Sequence, residues 1–480
     1  MNAIYRLFNR SYRDHIRDPE LLRTLNIIIL SAAIGTILFS SSSGAAFTGY
    51  ASALGAGEFV FGLLSALPVL GCLVQLYVSY RMEKTGKRKR MLMVGGFIQR
   101  GVWLVVAFIP YILPEQVAAS RIWAVLVLIT LSSMAGSFVG VTHMSFMAEL
   151  VPMEIRGRYV TTRQRIAIIA SFLTGLGVAR LLDLLPGFLG YTVVFTLGGI
   201  AGLVDILLYA DVKFPDMKRS EKKFSLLSGF RECFKVTRTR NYMLFWIFWS
   251  FTVNICNPFI NKYAIDVLSL SFTQIILFGQ LTSNILSVLI ISRWGVFIDR
   301  YGCAPLVLFA GTVYSLSLFL WLPAAPGGIL PLLLTSMIAG AIACAVDISS
   351  VNMQMSHTPD VGRPLVLSMY AILTSLSAAA ASVVGGAFLE WVEPVVASWN
   401  LSVAGTPFDN YKLLFCLSVV LRLAALFVFV PRMWNEKGFT IPGAYREILS
   451  GWKRQLRHGR AILRFIIIRA RKRRQNRKRR

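Results

Sequence analysis

The chain has 480 residues, 55% of them hydrophobic and only 15% charged, and its 50 Lys and Arg against 23 Asp and Glu give a formal charge of +27. Soluble domains carry about a quarter of their residues as charges, so this composition excludes a water-soluble enzyme, a disordered chain and a receptor with one span. With a mean hydropathy of +0.62, it describes a polytopic helical membrane protein.

Windows of about 19 residues give twelve apolar stretches, near 24–46, 57–80, 91–112, 121–148, 164–184, 189–211, 241–264, 271–294, 304–323, 329–355, 364–389 and 409–430. None alternates apolar and polar residues as a barrel strand does, so each is predicted to be a helix. The first lacks a short apolar core with a cleavage site and reads as a retained span. Residues 1–23 form a short N-terminal segment, and a polar loop at 212–240 separates six spans from six. A basic tail, 431–480, closes the chain.

Orientation follows from the bases. With the N-terminus in the cytoplasm, Arg6 to Arg23, the Arg81–Arg90 cluster, Arg156 to Arg165, Lys213 to Arg240 and the whole tail fall on one side. That is the positive-inside pattern, and it predicts both termini in the cytoplasm. It also accounts for the basicity without a nucleic-acid partner. The six cysteines are scattered and without metal spacing, so they read as small buried hydrophobes. No cofactor, metal or catalytic group is expected.

The halves echo each other. After the eighth stretch the chain reads Gly295, Asp299, Arg300, Gly302; after the second it reads Glu83, Lys84, Gly86, Arg88. Aligned on Gly86 and Gly302, an acid lies three residues before the glycine and a base two before it. A looser echo follows the fourth and tenth stretches, Pro152 to Gly157-Arg158 and Pro359 to Gly362-Arg363. Internal repeats of this kind are common in secondary transporters.

These loops resemble the signature of the major facilitator superfamily, an acidic-basic-x-Gly-basic loop between helices two and three that is copied between helices eight and nine. The first loop departs from the pattern, with Ser79 in place of Gly and Glu83 in place of Asp. The resemblance covers about residues 20–432. It implies an all-α membrane protein of twelve transmembrane helices in two pseudo-symmetric six-helix bundles, over 24–211 and 241–430. It further implies gating loops in which Glu83, Lys84, Gly86 and Arg88, with Gly295, Asp299, Arg300 and Gly302, latch the cytoplasmic side. On their own chemistry, these residues also suit helix capping and anchoring.

Four charges fall at membrane depth, where they are costly and need partners: Arg100, Asp205, Asp347 and Arg422. Distance from the helix ends matches Arg100 to Asp205 and Asp347 to Arg422, either as scaffold ion pairs or, for Asp347, as part of the pathway. His143 is a titratable imidazole inside the bundle, a proton carrier or a helix-to-helix hydrogen-bonding group. By the family arrangement, helices one, four, seven and ten line the pathway, with Ser40, His143, Asn254, Asn257 and Asp347. Gln280, Asn284 and Tyr370 on helices eight and eleven join them. Such walls suit a small, polar and largely uncharged solute.

The span at 164–184 has Gly175-Leu-Gly177 without a following proline, which speaks against drug antiport. From Gly451 onward the tail is basic, and Leu449, Trp452, Leu456 and Leu463 recur at helical spacing, which suits attachment to anionic lipid. The expected function is secondary active or facilitative transport of a small organic solute by alternating access, in a monomer of a bacterial cytoplasmic (inner) membrane. A coupling proton or cation is a possible partner. Drug or metabolite efflux by proton antiport is a second reading. A membrane-embedded enzyme and a non-transporting receptor are the readings of another class, and the dispersal of the outer-side acids in the sequence counts against the enzyme.

Overall fold

The computed structural model describes residue 16 and residues 18–113, 118–213, 237–357, 363–399, 401–403 and 405–433. Among them, eleven helical stretches are long and apolar enough to cross a membrane, and between the first two of these lies a further 28-residue helix, Glu58–Thr85, apolar over Glu58–Leu67. In chain order, span 1 is Pro19–Ala53, span 2 Glu58–Thr85, span 3 Arg88–Ile112, span 4 Ala119–Met147, span 5 Thr162–Leu184 and span 6 Gly187–Asp211. Span 7 is Thr239–Val267, span 8 Phe272–Ile291, span 9 Cys303–Trp321, span 10 Leu330–Gln354, span 11 Met369–Trp399 and span 12 Asn410–Arg432. The central segment 214–236 and the tail from 434 onward, with the expected amphipathic stretch, lie outside the described residues.

Local chemistry sets the ends of these helices. Asp18 caps span 1 through the Glu20 amide at 2.9 Å, followed at once by Pro19, whose missing N–H costs nothing there. Ser271 and Gln274 form a reciprocal capping box at the start of span 8. Asp409 caps span 12 by accepting from the Lys412 amide at 2.8 Å. Burial pushes the Asp409 carboxyl above its ordinary range, against the pull of that bond. Span 2 ends at Gly86 (φ 67°), and the helix Thr282–Tyr301 that continues span 8 ends at Gly302 (φ 87°); each amide donates to a carbonyl four residues back at 2.8 Å. Both conformations lie where a Cβ is resisted.

The helix through span 11 runs Arg363–Trp399, well past the predicted limit at 389, and leads into a two-stranded hairpin, β1 (Ser402–Val403) and β2 (Thr406–Pro407). Lys412 Nζ ties that hairpin to span 12 through Thr406 Oγ1 (2.9 Å) and the Pro407 carbonyl (2.7 Å).

The face holding Arg81, Lys87, Arg90, Lys213 and Arg293 is here called the basic face; the other is the far face. Apolar packing differs between them. At the far face one cluster includes Tyr50, Phe61 and Phe195 from the first half and Phe259, Tyr263 and Trp321 from the second. Toward the basic face the clusters separate: Tyr242, Trp294 and Met353 belong to the second half, and Ile28, Leu92, Phe146 and Ile206 to the first. Among the described residues, therefore, the halves share a core at one end only.

Candidate functional site

Among the described residues, hydrogen bonds between the halves gather at the far face. Glu58 Oε1, at the start of span 2, accepts from Lys262 Nζ on span 7 at 2.9 Å and from the Tyr411 hydroxyl on span 12 at 2.5 Å. Lys262 also reaches Asp266 Oδ2 at 2.9 Å, and Ser52 on span 1 donates to the same oxygen at 3.0 Å. Glu390 on span 11 accepts from the Phe59 amide, and Asp183 on span 5 takes the Phe272 and Thr273 amides, each at 2.9 Å. Spans 2 and 11 meet backbone to backbone: a Cβ on Gly62 would stand 2.4 Å from the Ser382 carbonyl oxygen. The sequence shows these four acids only as dispersed residues, and folding brings them to one seam. Among the described residues no group of His, Cys, Asp and Glu suits a metal ion.

Below that seam lies a cavity of about 480 Å³ between the halves. Ser40, Ser43 and Ser171 come from the first half, and Asn261, Gln280 and Ser336 from the second. Phe39, Phe272, Ile276 and Leu332 supply apolar wall, and among the described residues no ionisable side chain lines it.

Irregular helix shapes this cavity. Span 1 breaks between Pro19–Ser42 and Gly44–Ala53, with Ser43 extended and Gly44 at φ +59°. Ser43 Oγ donates to the Phe39 carbonyl at 2.5 Å and Thr48 Oγ1 to the Gly44 carbonyl at 3.0 Å, so hydroxyls serve carbonyls near the break. Span 7 breaks between Thr237–Asn254 and Asn257–Lys262, where Pro258 offers no amide hydrogen. π-helical turns at Ile275–Leu281 and Ala339–Ala343 rotate Ile276, Gln280 and Ala339 to the cavity edge. Non-helical backbone at membrane depth is tolerated where it lines a cavity, and paired broken helices mark binding sites in transporters.

Of the expected pathway residues, Ser40 and Gln280 line the cavity. Ser40 Oγ sits 3.1 Å from Thr174 Oγ1 on span 5. Asn254 folds back on the Ser250 carbonyl at 2.8 Å, beside the span 7 break. Asn257 and Asn284 are exposed but outside the lining. Tyr370 bonds Ser350 at 3.1 Å and stacks on Tyr242 at 5.5 Å, toward the basic face. His143 Nδ1 is 3.1 Å from the Tyr209 hydroxyl on span 6, in the field of Arg163 and Arg100 and away from the cavity.

The intramembrane charges divide. Arg100 Nη2 lies 2.5 Å from Asp205 Oδ2, and the other carboxylate oxygen accepts from Ser31 of span 1, so one acid ties spans 1, 3 and 6. The expected Asp347–Arg422 pair is not formed. Arg422 turns to span 7, donating to the Thr252 and Val253 carbonyls at 3.3 and 3.4 Å, with its guanidinium 5.1 Å from the Tyr314 ring centre. Asp347 is exposed on span 10, with Tyr314 in reach of both charges. Equal depth fixed only the level of these two groups; the guanidinium is taken up by the span 7 carbonyls instead.

Among the gating-loop residues, Arg88 is buried, while Lys84 and Arg300 are exposed, Arg300 with its guanidinium 5.1 Å from the Tyr301 ring centre. Gly295 has open space where a Cβ would stand. The side chains of Glu83 and Asp299 lie outside the described residues.

A family model described as Major Facilitator Superfamily matches residues 28–293. No curated protein matches the chain. Among solved structures, the nucleoside transporter NupG aligns at 16% identity and a TM-score of 0.62, over 85% of this chain and 98% of its own. A bacterial homolog of the human lysosomal transporter Spinster, inward-facing and occupied, aligns at 11% identity and a TM-score of 0.67, over 88% of this chain and 100% of its own. The inward-open xylose transporter XylE from E. coli aligns at 16% and 0.62, over 88% and 99%. These likenesses show a common fold. With the family model matching more than half of it, the chain belongs to the major facilitator superfamily and is a membrane transporter, not an enzyme.

Proposed function

We propose that the protein is a secondary carrier that moves a small, neutral organic solute by alternating access around the cavity between spans 1, 5, 7, 8 and 10. The observation that carries this reading is the lining: hydroxyls and amides set in apolar wall, with no ionisable side chain among the described residues. An ionised solute would lose its hydration there without a compensating charge, at a cost of several kcal/mol in effect. A neutral solute with hydroxyls exchanges water for Ser40, Asn261 and Gln280. The structural relatives include a nucleoside transporter and a xylose transporter by name, and both cargo classes are polar and uncharged.

The positive-inside pattern supports a cytoplasmic basic face, with both termini there and a bacterial inner membrane as the setting. On that reading this conformation is sealed toward the outside by the Glu58–Lys262 seam and the shared apolar core. Asp347, exposed on span 10, is the acid we assign to a coupling proton, in place of His143. The test is a thermal-shift screen of purified protein against sugars, nucleosides, amino acids and organic acids, followed by flux into liposomes without ATP. Stabilisation by a neutral polyol or nucleoside, with flux, supports the reading. Stabilisation by organic acids alone, or flux that requires ATP, overturns it.

A further inference from the structure

A larger concavity lies on the outer wall of the first half, apart from the solute cavity. Spans 2 and 3 both pack on span 4 and splay from each other, leaving a groove of about 900 Å³. Its walls include Leu73, Tyr77, Val94, Ile98, Leu131 and Met134, all exposed. From Lys87, which precedes span 3, to Ile98 the lining runs roughly 16 Å, which is the depth of one leaflet of an approximately 30 Å hydrocarbon layer.

Among the described residues charge is confined to one end: Arg81, Lys87 and Arg90 stand at the basic-face rim, and no acid lines the groove. Arg81 is held there by Tyr77, whose hydroxyl accepts from Nη1 at 3.0 Å. The side chains of Lys87 and Arg90 are exposed and make no contact with an acid among the described residues. Lys89, by contrast, turns away to the Ala210 and Val212 carbonyls. Three bases above a leaflet-deep apolar trough complement one kind of molecule, an anionic head on acyl chains. The chain's own C-terminal tail, with its cluster of bases, is excluded by like charge.

We propose that this groove holds an anionic phospholipid of the leaflet on the basic face, with its phosphate among Arg81, Lys87 and Arg90 and an acyl chain along Val94 and Ile98. The site is separate from the solute cavity and does not depend on the cargo.

The experiment is native mass spectrometry of the full-length protein titrated with dioctanoylphosphatidylglycerol, dioctanoylphosphatidylcholine or the chain-free headgroup glycerophosphoglycerol. Wild type is expected to retain one phosphatidylglycerol preferentially. The triple change Arg81→Gln, Lys87→Gln, Arg90→Gln lowers that retention by about tenfold or more. A matched control, Arg165→Gln, Arg240→Gln, Arg293→Gln, removes as many bases from the same face and leaves retention unchanged. Val94→Trp fills the trough and lowers retention with every base in place. Equal losses in the triple variant and the control, equal retention of the two phospholipids by wild type, or equal binding of the chain-free headgroup would each overturn the proposal.

Discussion

Lys262 Nζ lies 2.9 Å from Glu58 Oε1, and this contact joins span 7 of one half to span 2 of the other. Their side chains are only 8% and 15% exposed, so water screens the pair weakly. Lys262 also holds Asp266, which makes it the centre of the seam and Glu58 one of its two arms.

Removing the centre therefore matters more than removing an arm. Lys262→Met leaves two carboxylates facing each other without a base, and breaking a buried pair this way costs about 3–5 kcal/mol. Glu58→Gln leaves the Lys262–Asp266 contact intact and has a smaller effect. Hydrogen exchange followed by mass spectrometry is expected to show faster exchange at the far-face ends of spans 1, 2, 7 and 11, in the order Lys262→Met, Glu58→Gln, wild type. Unchanged exchange in Lys262→Met would show that the apolar core alone holds this face.

Gly175 gives a probe of the cavity that leaves its polar groups in place. A Cβ there would meet Gln280 Oε1 at 3.8 Å and Ser40 Oγ at 3.9 Å, which is ordinary contact. Gly175→Ala is expected to bind the stabilising solute normally, whereas Gly175→Leu projects its branched end between Ser40 and Gln280. Loss of the ligand-induced thermal shift in the leucine variant, with its unliganded melting temperature near wild type, is the expected result.

Arg100, Asp205 and Ser31 form a buried unit across three spans. Asp205→Ala strands the guanidinium and should lower stability by about 3–5 kcal/mol. The double change Arg100→Leu, Asp205→Leu removes both charges and should recover part of that loss. Thermal melts in detergent decide it; a double variant no better than Asp205→Ala would mean the pair contributes nothing as a pair.

The two loop glycines differ in kind. Gly86 is left-handed (φ 67°, ψ −1°), a region that Asn also enters, and Gly86→Ala costs about 1–2 kcal/mol. Gly302 (φ 87°, ψ 173°) occupies a region that is essentially glycine-only. Gly86→Asn is expected to express and melt near wild type, and Gly302→Asn to be distinctly less stable.

The proposed assignment of a coupling proton to Asp347 can be tested by separating coupling from movement. Asp347→Asn should keep solute exchange down a gradient and lose accumulation driven by a pH gradient, measured in liposomes loaded with solute. Accumulation unchanged in that variant would remove Asp347 from the coupling step.

Much of the fold could be read from the chain because a bilayer imposes a length and a polarity that hydropathy reports directly. The repeated loops were legible too, since Gly86 and Gly302 occupy turns with positive φ. Depth along an apolar helix set Arg100 level with Asp205, and the packing of span 3 on span 6 then brings the side chains together. The same reasoning failed for Asp347 and Arg422, because depth carries no information about direction around the axis. The break at Ser43-Gly44 has no proline to announce it, and the seam acids are up to 332 residues apart from Glu58 to Glu390. Only three-dimensional packing reveals such convergence.

A vestibule without ionisable walls has an electrical consequence. If the cargo is the neutral solute proposed above, it carries no net charge through the bilayer field, so the transmembrane voltage does no work on it, although it exchanges about 2.3 kcal/mol per 100 mV with each elementary charge that crosses. Any sensitivity of turnover to membrane voltage then belongs to the carrier's own ionised groups and to whatever ion is coupled to the load.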